Sequence, residues 1–326
     1  MENFRWGILS TGGIAKVFAR DLLLLEGHTV AAVGSRALPS AELFAAEFAG
    51  CRPYGSYEEL VRDESLDAIY VATPHPFHLS NTLLALHAGR PVLCEKAFAI
   101  NAAQAKLMID TAHSGKLALM EAMWTRFLPH MHQIRKILAS GILGDIHLVQ
   151  ADHGQRLAPR NIPRLELPEL AGGALLDLAV YPISFAHMVL GVPTKITASS
   201  AFTERGVDAQ TSAIFDYPSG AQALLTANMV VVSPCAATIN GSQGRIEIDR
   251  TFYAPTSFRV VLNDGTVTEY PSDYHGKGHR EQAVEFAKVV RDGLLESPFL
   301  THLETLQIMK SMDEVRRQIG LTYPFE

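Results

Sequence analysis

Trp6-Gly7-Ile8-Leu9-Ser10-Thr11-Gly12-Gly13-Ile14-Ala15 decides the fold. An apolar run of strand character enters a turn of small residues, and the turn opens a helical pattern over 14–25. Ser10, Thr11, Gly12, Gly13, Ile14 and Ala15 form a GxGxxA-type dinucleotide fingerprint, with Ser10 in the first glycine position. Gly12 lets backbone approach a pyrophosphate closely, and Ala15 lets the helix pack tightly on its sheet. The free N–H groups of the helix start favour an anion. A merely structural turn is the rival reading, but the motif stands at the head of a longer βαβ series.

That series runs outward to residue 121. Apolar runs at Trp6–Ser10, Val30–Ser35, Ala68–Ala72, Val92–Glu95 and Leu117–Glu121 alternate with helical stretches near 14–25, 39–48, 77–88 and 102–113. The pattern predicts a doubly wound parallel sheet with right-handed crossovers, an N-terminal Rossmann domain over 1–124. The remainder, 125–326, is expected to be an α/β domain with a large, mostly antiparallel open sheet. Its helices are predicted near 129–139, 174–190, 280–292 and 303–318, with strands at 146–152 and in seven runs between 195 and 270. The stretch holding Pro159, Pro163 and Pro168 reads as irregular.

At the end of the second strand Ser35 is followed by Arg36, and no Asp or Glu occurs from Val30 to Ser40. A dinucleotide lacking a 2′-phosphate is usually held there by an acid. A hydroxyl and a guanidinium suit a 2′-phosphate instead, so the expected cofactor is NADP; otherwise Arg36 is a solvated loop residue.

Two further turns lie at carboxyl ends of predicted parallel strands, where open α/β sheets bind ligands. One is Thr73-Pro74-His75-Pro76-Phe77-His78; the other is Cys94-Glu95-Lys96-Ala97. A lysine ending a buried strand beside a cationic ring is suited to proton transfer at a hydroxyl or carbonyl. Gly172-Gly173-Ala174-Leu175-Leu176-Asp177-Leu178-Ala179-Val180-Tyr181 places Asp177 and Tyr181 four apart on a predicted helix, hence on one face. An Asp in so apolar a helix needs a partner, and Lys96 is one candidate; a buried Asp bonding backbone, with Tyr181 as core, is the alternative. Trp124 and Arg126 follow the last parallel strand, where they either stack on and pair with cofactor or substrate or simply pack.

The thirteen histidines show no zinc-like spacing, so no metal is expected. Residues 1–125 hold 10 basic and 13 acidic side chains, leaving 18 and 21 beyond, about −3 in each part of a chain of net charge −6. That balance excludes a nucleic-acid binder. Cys51, Cys94 and Cys235 form no CxxC pair and read as reduced thiols of a cytoplasmic protein. The N-terminus does not read as a signal peptide. Residues 174–192, interrupted by Asp177 and Pro182, do not read as a membrane span.

Together the fingerprint, Thr73-Pro74 with His78, Glu95-Lys96 and Gly172–Tyr181 with Asp177 resemble the Gfo/Idh/MocA oxidoreductase family over essentially the whole chain. Arg5-Trp6-Gly7-Ile8, Tyr54–Leu60, Met120–Phe127 and the tyrosine at 181 are similar to its dihydrodiol dehydrogenase and NADP-dependent D-xylose dehydrogenase branch. The resemblance implies hydride transfer between nicotinamide and a carbinol or carbonyl carbon of a sugar, polyol or cyclic diol. It also implies proton handling by Lys96 and Tyr181 with Asp177 orienting them, and a homodimer formed through the C-terminal sheet. The family also contains a non-catalytic cofactor-binding regulator and NAD-assisted glycosidases, which stand as alternatives. The substrate pocket is expected on loops such as Gln155–Leu170, near Tyr253 and at Tyr274–His279. One departure is Ala97 in place of the family proline, and a cis bond after Lys96 costs about 2.5–4 kcal/mol without proline. A different presentation of the lysine is therefore expected.

Overall fold

The computed structural model describes residues 3–157, 162–324 and 326. Pro159 and neighbouring residues of the 155–170 loop lie outside them. The chain divides into two compact units, one of residues 1–124 with 276–305, the other of 125–275 with 306–326. The division departs from a single cut after Trp124, because residues 276–305 return to the first unit.

The first unit begins with strand β1 (Phe4–Leu9), helix α1 (Gly13–Leu22), β2 (His28–Gly34), α2 (Leu38–Ala45), β3 (Arg52–Tyr54), α3 (Tyr57–Val61) and β4 (Ala68–Val71). It continues through α4 (His78–His87), β5 (Val92–Glu95), α5 (Ala102–Gly115) and β6 (Leu119–Ala122). Six parallel strands lie in the order β3-β2-β1-β4-β5-β6. The order reverses between β1 and β4, the topological switch point at which doubly wound sheets bind ligands. β4 and β5 are buried along their whole length, as strands covered on both faces must be. β3 has no counterpart among the predicted strands. It is three residues long, contains Pro53 and is largely exposed, so it carries no apolar signal and fits only an edge.

The second unit opens with α6 (Pro129–Ala139) and β7 (Ile146–Gly154), then the short helix α7 (Pro163–Glu166). A π-helical segment, Leu175–Ala179, runs into α8 (Val180–Leu190). Strands β8 (Lys195–Phe202), β9 (Asp208–Asp216), β10 (Gln222–Asn228), β11 (Ala237–Gly241), β12 (Gly244–Ile248), β13 (Phe258–Leu262) and β14 (Val267–Tyr270) follow. They join β7 in an eight-stranded sheet of order β14-β13-β12-β11-β7-β10-β9-β8, antiparallel except between β7 and β10. Burial alternates along β9 and β10, so one face is packed and the other is wet. The π segment and α8 cover the packed face.

Helix α9 (His279–Arg291) belongs to the first unit, and α10 (His302–Ile319) passes from the first to the second. Asp21, at the end of α1, accepts from the backbone N–H groups of Lys277 and His279 and so caps α9. Gln318 of α10 accepts from Ala198 N–H and donates to the Ile196 carbonyl, which saturates part of the free edge of β8. Pro168–Leu190 is long and apolar enough by length and composition to cross a membrane, unlike the expectation for 174–192, yet 83% of that window is buried inside the protein. It is the core helix of the second unit.

Candidate active site

The phosphate turn lies between β1 and α1. Ser10 adopts φ 108°, a region open to glycine and costly for other residues, so it takes the geometry of the glycine it replaces. Its Oγ accepts from Gly12 N–H at 3.3 Å. Among described side chains none caps α1, and a Cβ on Gly13 would meet nothing within 4 Å. The turn is therefore an open cradle of amides, which fits the pyrophosphate of a dinucleotide. Ile14 lies in the first turn of α1, and Ala15 is fully buried.

At the end of β2, Ser35 is buried and its N–H bonds the Tyr54 carbonyl. Arg36 is exposed, and its charge reaches the Tyr57 phenol. Burial pushes that phenol up, and the guanidinium works against the push. Tyr57 opens the short helix α3, which carries too little apolar pattern to register in the sequence, so no role is assigned to it there.

The two catalytic-end turns are fastened together by His78. Its Nδ1 lies 2.9 Å from the Ala97 carbonyl and its Nε2 2.7 Å from the Thr73 carbonyl. Burial pulls its pKa down although both carbonyls favour the cation. With no exposed surface the ring cannot touch a cofactor, so the expectation of direct contact is corrected: His78 braces the loop that a cofactor would meet. Thr73 Oγ1 accepts from Asn81, and the His75 ring stands edge-on to His78 at 5.5 Å. Pro74 precedes the 3-10 turn His75–Phe77 and fixes its entry.

Glu95 is likewise internal. Its carboxylate accepts from the Tyr70 hydroxyl and from Lys96 N–H, and it too positions rather than contacts. Lys96 itself is half-buried just past β5. The peptide bond after it is cis although residue 97 is alanine. Trp124 stacks on His279 at 4.4 Å. Burial, aided by the Lys96 charge and opposed by Asp21, holds His279 down to about 4. A neutral imidazole thus shares the neighbourhood of the lysine, at the end of the Tyr274–His279 segment on which the pocket is expected.

In the second unit, Asp177 and Tyr181 stand on the segment predicted as one helix, but Leu175–Ala179 is π-helical. A π turn shifts the phase of an ordinary helix, and such turns occur frequently at functional sites. Asp177 is buried and its Oδ1 is 2.8 Å from Arg164 Nη1. Arg164 lies within the loop on which the substrate pocket is expected, but nothing in the sequence singles it out there as the partner of Asp177. Tyr181 packs with Tyr253 at 4.9 Å and His153 at 5.1 Å, while His153 and Tyr253 stack at 4.0 Å. Gln155 donates to the Tyr253 hydroxyl at 3.0 Å and reaches His153 Nε2 at 2.8 Å. Burial raises the Tyr253 phenol, keeping it protonated. Tyr181 is thus surrounded by groups able to bond hydroxyls.

Arg126, for which both ligand contact and packing are open readings, is buried in the second unit, with Nε donating to Ser184 Oγ at 2.9 Å on α8, the helix that carries Tyr181. Among the described residues no three His, Cys, Asp or Glu side chains gather as a metal site would require.

A 3-2-1-4-5-6 parallel sheet with an open amide cradle, and a second sheet unit covered by a titratable helix, define a dinucleotide-binding protein with an appended sheet domain. Residues 4–123 match the model of the oxidoreductase family with an NAD-binding Rossmann fold, and residues 131–247 match the GFO/IDH/MocA C-terminal domain. The chain belongs to the Gfo/Idh/MocA oxidoreductase family. D-xylose 1-dehydrogenase (NADP(+)) of Hypocrea jecorina is 37% identical, the alignment covering 99% of this chain and 93% of the relative. Trans-1,2-dihydrobenzene-1,2-diol dehydrogenase of Mus musculus is 38% identical, covering 98% of each. A 3-ketoreductase from Actinomadura kijaniata, crystallised with NADP and TDP-benzene, superposes with a TM-score of 0.87 at 27% identity over 98% of both chains.

Proposed function

We propose that the chain is an NADP-dependent oxidoreductase acting on a CH–OH group, or on the matching carbonyl, of a small sugar, polyol or cyclic diol. Full-length relatives are named as dehydrogenases of D-xylose and of a dihydrodiol, the first with NADP. The observation that carries the reading is the pairing of an uncapped amide cradle at Gly12–Gly13 with an exposed cation, Arg36, just past β2. Ser10 to Ala15 would hold the pyrophosphate, Ser35 and Arg36 the 2′-phosphate, and Thr73 to His75 with Trp124 the walls around them. NADP supplies the group that takes or gives the hydride.

The proton belongs to this chain's own side chains. We assign it to Lys96 and Tyr181, with Asp177 as the orienting carboxylate, itself held by Arg164 at 2.8 Å. Gln155, His153 and Tyr253 beside Tyr181 offer donors and acceptors suited to neighbouring hydroxyls of a polyol. Lys96→Met and Tyr181→Phe test the assignment. Nicotinamide absorbance is followed with NADP+ over a panel of aldoses and cyclic diols, and with NADPH over ketosugars. Each variant is expected to lose about 10²–10⁴-fold in kcat, the usual contribution of a general acid–base group, with NADPH affinity by fluorescence titration unchanged. Full turnover in either variant refutes its role.

We further propose a homodimer formed through the wet face of the second sheet, in the cytoplasm. Ile214 stands 40% exposed on the wet face of β9, an apolar side chain that a partner copy would cover.

A further inference from the structure

The glycines that open the Asp177–Tyr181 segment are clamped on two sides. A Cβ on Gly172 would come within 2.6 Å of the Leu165 carbonyl, and Gly173 N–H donates to that same carbonyl at 3.0 Å. On the other side Gly173, at φ 117°, leaves room for the carboxylate of Asp208, whose Oδ1 a Cβ would meet at 2.0 Å. Asp208 opens β9 and has no exposed surface. Its Oδ2 accepts from the backbone N–H of Leu175, the first residue of the π segment, at 2.7 Å, and from the Thr211 hydroxyl at 2.7 Å. Asp177 lies two residues beyond that anchored amide, and Tyr181 six.

We infer that Asp208 is a positioning residue: it ties the first turn of the π segment to β9 and so sets where Asp177 and Tyr181 stand. A buried acid at this place needs such a reason. Leu175 comes two residues after a glycine pair, one of them at φ 117°, and such a pair leaves a helix start free to pivot unless its amides are held. The carboxylate is the acceptor that holds them, and Thr211 steadies the carboxylate. The inference rests on the assignment of Asp177 and Tyr181 as reacting-site residues.

The test compares Asp208→Ala, which removes the acceptor, with Asp208→Asn, which keeps one carbonyl oxygen for both Leu175 and Thr211. Three quantities are read on the full chain: kcat and KM on the fastest substrate of the panel, NADPH affinity by fluorescence titration, and amide hydrogen exchange of peptides covering 173–181. Asp208→Ala is expected to lose roughly 10²-fold in kcat, the scale of a misplaced reacting group, with NADPH affinity unchanged and faster exchange over 173–181. Asp208→Asn is expected to recover most of the turnover and the protection. An Asp208→Ala protein that melts lower but keeps wild-type kcat and exchange would show a merely structural residue and overturn the inference. If Asp208→Ala does not fold, Thr211→Val carries the test, and exchange at 173–181 equal to wild type overturns it. Tyr181→Phe run alongside separates the two ideas: full turnover there defeats the functional assignment, while exchange still decides whether Asp208 is the anchor.

Discussion

Arg36 shows how much one side chain decides. It stands exposed at the carboxyl end of β2, in a stretch free of acids from Val30 to Ser40. A permanently charged fork there stabilises a phosphate and offers nothing to a bare 2′-hydroxyl that an acid would not do better. Arg36→Asp is expected to reverse cofactor preference, weakening NADPH by about one to two powers of ten, as loss of a charge-assisted pair of roughly 1.5–3 kcal/mol implies. Titration of NADPH and NADH fluorescence checks it; an unchanged preference would show that Arg36 is a solvated loop residue. Ser10 works at the same scale, since its φ of 108° keeps the glycine geometry of the turn without the glycine.

At the scale of elements, the patterns that carry strong periodicity were the legible ones. α6 spans 129–139 as predicted, and the five long parallel strands and all eight strands of the second sheet fall within a few residues of their apolar runs. β3 and α3 escaped because three residues with a proline and five residues after Ser56 hold too little apolar pattern to register. The π turn at Leu175–Ala179 was illegible for a different reason. Its sequence is a good α-helix, nothing in that pattern marks the extra residue in the turn, and the side chain that holds its first amide, Asp208, is 33 residues on. Among site residues, Lys96, Asp177, Tyr181 and the fingerprint announce themselves as polar groups in apolar surroundings. Arg164, His153 and Tyr57 do not, since each gains meaning only from a neighbour distant in sequence. His78 and Glu95 were legible as important but not as internal, because burial is a property of the folded chain.

The whole molecule carries a pH signature from its buried imidazoles. Burial lowers His130 to about 4, His187 to about 3 and His279 to about 4. A histidine whose folded pKa is depressed contributes stability that is present above the unfolded value of about 6.5 and is lost as pH falls below it. Asp208, pushed up to about 7 by burial, acts in the opposite sense, its cost easing as pH falls through 7. Three groups against one favour the histidines, so thermal midpoints are expected to fall between about pH 7 and pH 5. A midpoint that rises over that interval would show that the histidines are not held neutral. The two units together define the central claim, that this chain moves hydrogen between a carbinol carbon and NADP. The most direct measurement uses D-xylose or a cyclic diol deuterated at the carbinol carbon, with mass analysis of the cofactor after turnover. Recovery of the label in NADPH is the result expected. Label retained in the organic product, or cleavage of a glycoside with no net reduction of NADP+, would contradict it.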